Sequence, residues 1–201
     1  MRRKRRKLYA IGNWWCLHRR RVAVCVPAKN AGTSFYRAAY SVPPEVKDKA
    51  VYGYILQYHK TRGSFSYLRA TEEADEFYLA VRNPVARFRS LWRDKCRDAT
   101  HATAGDPNRQ LYRVVGFSPV MLLDYIRANP RIDAHWLPQS ADMHDGVKLV
   151  RYDRLLHVLG LPQILCNETK ARDDDILMPE QEILEHYSAD MALWNQVKDD
   201  G

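Results

Sequence analysis

Two short segments carry the residues best suited to bind phosphate. Residues 26–34 read VPAKNAGTS and follow the apolar run 22–26, and residues 82–90 read RNPVARFRS and follow the apolar run 77–81. Lysine and arginine bind phosphate through charge, and hydroxyls add hydrogen bonds. We therefore predict two anion sites, which together suit a nucleotide that carries phosphates at both ends.

The first segment has the composition of a loop that leads from a buried strand into a helix. Backbone N–H groups at a helix start have no partner within the helix, and their partial positive charge favours a phosphate. Gly32 would let the backbone approach a ligand closely. Thr33 and Ser34 would add hydroxyl donors, and Lys29 a mobile charge. A capped helix beside a surface lysine is the alternative, but it does not require all of these residues together.

The order of residues differs from the phosphate loop of nucleoside-triphosphate enzymes. In that loop, G-x-x-x-x-G-K-[ST], the lysine follows the second glycine. Here Lys29 precedes Gly32, and no glycine opens the loop. An ATP or GTP hydrolase would also need a magnesium-binding acid at a strand end, whereas Arg82 follows the run 77–81. Arginine at that position favours phosphate over a metal ion.

The elements that must position these residues alternate between strands and helices. Apolar runs predict strands over 22–26, 51–56, 77–81 and 147–150, and helical patterns cover 33–40, 64–71, 119–128, 152–159 and 179–197. Asn83 is expected to cap a further helix, with Pro84 at its first position. We predict an α/β, three-layer P-loop-like fold with a central parallel sheet flanked by helices. Residues 1–20 are expected to be a basic tail and a packing segment ahead of one domain, 21–198.

Taken together, the two segments resemble the 5′-phosphosulfate and 3′-phosphate signatures of sulfotransferases that use 3′-phosphoadenosine 5′-phosphosulfate, PAPS. The resemblance is greater to the carbohydrate branch, which includes Golgi-type and bacterial enzymes. Weaker likeness continues through segments 133–139, 150–155 and 167–169. In one respect the chain departs from the family pattern: proline usually stands directly before the lysine, whereas here Ala28 separates Pro27 from Lys29.

The resemblance implies a set of binding roles. It assigns the 5′-phosphosulfate to the loop residues Lys29, Asn30, Ala31, Gly32, Thr33 and Ser34. It assigns the 3′-phosphate to Arg82 and Ser90. The implied reaction moves a sulfuryl group from PAPS to a hydroxyl, or less readily an amine, on a carbohydrate, and releases 3′,5′-ADP. Lys29 would stabilise charge on the leaving phosphate, and no metal is expected.

An acceptor hydroxyl needs a base, and histidine is suited to that role near neutral pH. His59 follows the predicted strand 51–56 and matches the position of the family's catalytic histidine. His135 and Trp136 are candidates for the acceptor pocket, although a structural role is favoured for His135. Arg87 is either a second phosphate contact or a surface charge. Three acidic residues are weaker candidates for the base: Glu72, Glu73 and Asp75.

Composition narrows the partner to an anion but not to one class. The chain has 201 residues, a net charge of +8 and four scattered cysteines, which we interpret as reduced thiols. No stretch approaches the roughly 18 apolar residues of a membrane span, and segment 2–7 is not followed by a signal-peptide core. We therefore expect a cytoplasmic protein. A basic nucleic-acid-binding module, using 2–7 and 19–21, and a nucleotide kinase-like enzyme are the alternatives, but neither has a supporting motif.

Overall fold

In a computed structural model of the protein, the residues described are 14–17, 20–47, 50–58, 70–98, 113–130, 133, 135–164 and 177–199. They contain a mixed sheet of four strands, β1 (Trp14–Leu17), β2 (Val22–Cys25), β3 (Glu76–Val81) and β4 (Lys148–Arg151), in the order β1-β2-β3-β4. Strands β2, β3 and β4 are parallel, whereas β1 runs antiparallel to β2 at one edge. The α/β class and a mostly parallel sheet are therefore confirmed.

Seven α-helices lie within the described residues. They are α1 (Gly32–Tyr40), α2 (Val51–Tyr58), α3 (Pro84–Trp92), α4 (Pro119–Ala128), α5 (Leu155–Val158), α6 (Glu180–His186) and α7 (Ser188–Val197). Helix α3 continues into a π-helical turn at Arg93–Arg97, and a 3-10 turn spans Gln139–Asp142. None of the helices in the described ranges is long and apolar enough to cross a membrane.

Alternating strand residues pack on opposite faces of the sheet. On one face, Trp15, Val24 and Ala80 join a buried cluster with residues of α1, α2 and α5. On the other face, Leu79 and Val81 join residues of α7. A third cluster, away from the strands, connects α3, α4 and α6. Helices therefore cover both faces of the sheet, and its strands are buried between them.

The prediction of a strand over 51–56 is wrong, because these residues form α2. Val51 and Ile55 are buried four residues apart, and Tyr52 and Gly53 between them are exposed, which is the pattern of a one-sided helix. A short apolar run does not distinguish a strand from a buried helix by periodicity alone. The error matters for His59, which follows a helix rather than a strand and itself lies outside the described residues.

Two other helices differ from their predicted extents. The predicted helix 179–197 is broken at Tyr187 into α6 and α7, and the buried residues of α7 are Asp190, Leu193 and Val197. The predicted helix 152–159 is limited to α5. The predicted helix 64–71 lies almost wholly outside the described residues.

The start of α3 agrees with its sequence signal. The Asn83 side-chain oxygen accepts hydrogen bonds from the backbone N–H groups of Val85 and Ala86, at 3.0 and 3.1 Å, and Pro84 takes the first helical position. These bonds satisfy donors that have no partner within the helix. The cap fixes the direction in which α3 leaves the end of β3, and therefore where its polar side chains lie.

The helical assignment of α2 can be tested at Gly53. A Cβ added there would meet no atom within 4 Å. We expect Gly53→Ala to raise the free energy of unfolding by about 0.5–1 kcal/mol, because alanine favours helix. Gly146 is the matched control: its surroundings are equally open, but its φ is +79°, so Gly146→Ala should destabilise by about 1–2 kcal/mol. Urea denaturation of both variants measures this, and destabilisation by Gly53→Ala would contradict the helix.

Candidate anion-binding site

The two segments predicted to bind phosphate, 26–34 and 82–90, meet where the parallel strands β2 and β3 end. Strands β2 and β3 are neighbours and parallel, with Cys25 opposite Leu79, so the chain leaves both strands at the same edge. Segment 26–31 follows β2, and Arg82 follows β3. The Arg82 Nη1 atom donates a hydrogen bond to the carbonyl oxygen of Lys29 at 2.7 Å. Residues separated by more than fifty positions in the chain are therefore in direct contact.

The loop ahead of α1 has the backbone shape of an anion cradle. Lys29 and Ala31 are left-handed, with φ of 72° and 59°, and Asn30 between them is not. The Asn30 N–H closes a turn on the Pro27 carbonyl at 3.0 Å. Alternation of this kind directs successive N–H groups into a concavity. Helix α1 then begins with no side-chain cap and no acidic residue in its first turn, so the helix itself contributes no carboxylate that would repel an anion.

The first turn of α1 contains the predicted small and hydroxyl residues. A Cβ on Gly32 would lie 3.3 Å from the Tyr36 ring, so glycine is favoured here by close packing. Ser34 is buried, whereas Thr33 is partly exposed. Thr33 is therefore the better placed of the two hydroxyls to reach a ligand.

A buried amide network fixes the loop to the end of β3. The Asn30 Nδ2 atom donates to the Ala80 carbonyl at 2.7 Å and to the Gln139 Oε1 atom at 2.5 Å. The Gln139 amide in turn accepts from the Arg82 backbone N–H and donates to the Arg82 carbonyl, both at 2.9 Å. Asn30 and Gln139 are fully buried. In a low-dielectric interior such bonds are strong, and they hold the loop and Arg82 in one arrangement.

Arg87 is a buried side chain that hydrogen-bonds to the loop. Its side chain is buried, and it donates to the carbonyls of Ala28 at 3.0 Å, Leu137 at 2.8 Å and His135 at 3.3 Å. Asp190, also buried, lies 3.8 Å from its guanidinium. Burial lowers the pKa of Arg87, although a guanidinium stays protonated. The guanidinium is engaged with protein carbonyls, so its contacts are those of a structural cation and not of a surface charge.

Lys29 shares a carboxylate with a second lysine. Its Nζ atom donates to the Asp94 Oδ2 atom at 2.6 Å, and the Lys95 Nζ atom lies 3.1 Å from the same oxygen. The Lys95 side chain is only 4% exposed. Burial lowers the pKa of Lys29, the Asp94 carboxylate partly offsets this, and the charges of Lys95 and Arg82 lower it further. Positive charge therefore exceeds negative charge around Lys29.

Arg82 and Ser90 flank the loop from β3 and α3. The Arg82 guanidinium lies over the Tyr152 ring, 4.9 Å from its centre, and its buried Nε atom has no hydrogen-bond partner among the described residues. Burial lowers the pKa of Arg82. Ser90 is half-exposed and lies on the helix face between Arg87 and Asp94, both of which reach the loop. Of the two predicted 3′-phosphate residues, Arg82 therefore contacts the loop directly, and Ser90 lies on the same helix face as two residues that do.

The candidates for acceptor binding and for the base are dispersed. Trp136 is buried in the cluster of α3, α4 and α6, and its ring packs edge-on against Tyr125, so it is not exposed to an acceptor. The His135 Nδ1 atom lies 2.5 Å from the Asp133 carboxylate. The acidic residues Glu72, Glu73 and Asp75 precede β3, at the edge opposite the loop, where Asp75 pairs with Arg21.

Sequence reasoning missed several residues that shape the site. Gln139 and Tyr152 fall in the segments of weak resemblance, but their hydrogen-bonding and stacking partners had no local signal. Asp94 has the helical spacing that places it on one face with Arg87 and Ser90, and this spacing was the local signal for its position. Nothing in the sequence pointed to Asp190, whose carboxylate accepts hydrogen bonds from the backbone N–H groups of residues 139 and 140 at 2.9 and 2.8 Å.

Comparison of the chain with protein-family models, with curated proteins and with solved structures finds no match. Among the described residues, no group of three or more histidine, cysteine or acidic side chains is placed to hold a metal ion. Functional interpretation therefore depends on the residues and contacts around the loop.

A pair of arginine variants separates the structural cation from surface charge. Arg87→Leu should lower the free energy of unfolding by about 3–5 kcal/mol, because it leaves Asp190 buried without its counter-charge. Arg89→Leu is the control. Arg89 is exposed, and its ion pair with Glu180, at 3.6 Å, is exposed as well. Its effect should stay within about 0.5 kcal/mol. Chemical denaturation measures both, and equal effects would show that Arg87 does not support the loop.

Proposed function

We propose that this chain is a PAPS-dependent sulfotransferase that transfers a sulfuryl group to a hydroxyl, or less readily an amine, of a carbohydrate acceptor. The observation that carries the proposal is the contact between the Lys29 loop and Arg82 at the edge where the parallel strands end. In open α/β sheets, ligands bind at this edge. The proposal includes a three-layer, P-loop-like arrangement, which is supported by helices on both sheet faces.

The two ends of the nucleotide would use different parts of the site. Lys29, the N–H groups of the loop and Thr33 would hold the 5′-phosphosulfate, while Arg82 and Ser90 would hold the 3′-phosphate. The residues fit an anion of this kind, because the buried Arg82 Nε atom lacks a partner in the described part of the chain and Ser90 makes no side-chain hydrogen bond there. Arginine suits phosphate through its planar, multiple donors.

Lys29 is suited to stabilise the leaving phosphate. Bound PAPS supplies an activated sulfuryl group, and the chain's contribution to such a transfer is positioning and charge stabilisation. The Lys29 ammonium is desolvated and lies near Lys95 and Arg82, so an added anion is favoured there. Its present partner is the Asp94 carboxylate. A ligand must therefore share Lys29 with Asp94 or replace it.

The residues proposed to bind or deprotonate the acceptor are described less completely than those proposed to bind the nucleotide. His59, the base implied by the family resemblance, lies outside the described residues. The role of His59 as the base stays a prediction. The segment before it forms helix α2, so the argument from a preceding strand no longer applies. A basic chain with a net charge of +8 favours an acidic acceptor such as an anionic glycan.

Nucleotide selectivity tests the proposal directly. A charge-assisted contact contributes about 1.5–3 kcal/mol, so 3′,5′-ADP should bind at least about tenfold more tightly than 5′-ADP. Arg82→Ala should remove most of that ratio, whereas Arg89→Ala, on the exposed side of α3, should keep it. Calorimetric titration measures both affinities, and equal affinity of the wild type for the two nucleotides would reject the 3′-phosphate site.

The same titration separates the alternative functions. Tighter binding of ATP with magnesium would favour a nucleotide kinase-like enzyme, and tighter binding of duplex DNA would favour a nucleic-acid-binding module. We expect neither, and we expect sulfuryl transfer to continue in EDTA because Lys29 and the loop N–H groups neutralise the 5′ end. A strict requirement for a divalent ion would contradict this division of roles.

The lowered pKa of Lys29 leads to a pH dependence of nucleotide binding. Only the protonated ammonium attracts phosphate, so the affinity for 3′,5′-ADP should fall as pH rises through the Lys29 pKa, which lies below the ordinary lysine value. Binding should be accompanied by proton uptake in that range, because the phosphates favour the charged form. Lys29→Arg should remove the fall, since arginine stays protonated. Titrations in buffers of different ionisation enthalpy measure the uptake, and its absence from the wild type would contradict the role of Lys29.

A further inference from the structure

His135 and Asp133 form a hydrogen-bonded pair that the predicted roles did not include. The His135 Nδ1 atom lies 2.5 Å from Asp133 Oδ1, and the same oxygen accepts the His135 backbone N–H at 2.7 Å. The Asp133 side chain is 12% exposed and the His135 side chain 33%. Two bonds to one carboxylate oxygen fix both the position and the rotation of the imidazole ring.

The carboxylate also selects the tautomer of the ring. Burial would raise the pKa of Asp133, but the hydrogen bond and charge of His135, with the charge of Lys95, outweigh it and lower that pKa. Asp133 is therefore ionised and accepts a hydrogen bond from Nδ1–H. In the neutral ring the proton is then on Nδ1, and Nε2 carries a lone pair. Within the described residues, Nε2 has no hydrogen-bond partner.

Two cations, Arg87 and Lys95, connect the histidine–aspartate pair to the anion site. The Arg87 guanidinium bonds both the Ala28 carbonyl, next to Lys29, and the His135 carbonyl. On the other side, Lys95 approaches the carboxylate that binds Lys29 and also acts on Asp133. The loop that would hold the phosphosulfate and the histidine pair are therefore joined through shared cations.

We propose that His135 is the general base of the transfer and that Asp133 positions it. The inference rests on the proposed function. The acceptor hydroxyl forms a bond to sulfur while the bond between sulfur and the 5′-phosphate oxygen breaks, and the electron pair of that bond leaves on the phosphate. The hydroxyl proton passes to His135 Nε2. The reaction written in this way requires no oxidant, reductant or metal.

The structure favours His135 over His59 for this role. The argument that His59 reaches the ligand edge depended on a strand over 51–56, and those residues form α2. His135 has features that a base needs: an oriented ring and an Nε2 atom without a hydrogen-bond partner among the described residues. Its backbone carbonyl accepts a hydrogen bond from Arg87, which also bonds the anion loop at Ala28. Sequence alone made His135 a candidate for the acceptor pocket, because it did not show that the Asp133 side chain, two residues away, bonds to the imidazole ring.

Turnover of labelled PAPS tests the base with water alone and with desulfated heparin as acceptor probes. His135→Ala should lower turnover by about two to four orders of magnitude, with the affinity for 3′,5′-ADP changed by less than about twofold, and added imidazole should restore part of the rate. Asp133→Asn should lower turnover at least about tenfold. His157→Ala, an exposed histidine on α5, should turn over normally, and His59→Ala should lose less than His135→Ala.

Nitrogen-15 NMR of the full chain tests the ring without any acceptor. The neutral His135 ring should carry its proton on Nδ1 in the wild type, and Asp133→Asn should produce a mixture of tautomers. A wild-type proton on Nε2, or a His135→Ala chain with normal turnover, would overturn the inference while selective 3′,5′-ADP binding kept the proposed function. Loss of nucleotide affinity in His135→Ala without rescue by imidazole would assign it a structural role. A wild type that neither prefers 3′,5′-ADP nor consumes PAPS would overturn both.

Discussion

The fully buried amide of Gln139 joins the loop after β2 to the end of β3. Parallel strands leave backbone groups without ladder partners where they end, and here those groups bond to buried side chains instead of water. The Gln139 amide satisfies both the N–H and the carbonyl of Arg82, and Asn30 satisfies the carbonyl of Ala80. Because each bond lies in a low-dielectric interior, loss of one leaves an unsatisfied group. The positions of Lys29 and Arg82 therefore depend on this network.

Two ion pairs of different character contact the loop that this network holds. Arg87 and Asp190 are both buried, and their remaining donors and acceptors are used by backbone groups. Lys29 and Asp94 are partly exposed, with Lys95 nearby as an additional positive charge. The inner pair is electrically balanced and supports the loop, whereas the outer group carries excess positive charge. The excess positive charge of the outer group would favour an anion.

Local sequence signals predicted the elements that have local causes. The strand 22–26, the helix starting near residue 33 and the Asn83 cap all depend on neighbours in the chain, and each is confirmed within a residue or two. The break at Tyr187 was missed, and there the tyrosine hydroxyl donates to the Trp136 carbonyl across a tertiary contact. The site shows the same division: the sequence motifs contain Lys29 and Arg82, but the hydrogen-bond partners Asp94 and Gln139 lie 65 and 109 residues away from the loop residues they bind.

The hydrogen bond from Arg82 to the Lys29 carbonyl connects the two proposed anion positions directly. The guanidinium proposed for one phosphate also restrains the backbone of the lysine proposed for the other. If both phosphates bind as proposed, binding at one position would alter the restraint on the other, and such an effect is a coupling free energy between the two positions. Thermodynamic linkage makes that coupling reciprocal. A molecule that presents only one phosphate would engage the site without this cooperative contribution, so the spacing between the two anions becomes a selected property of the ligand.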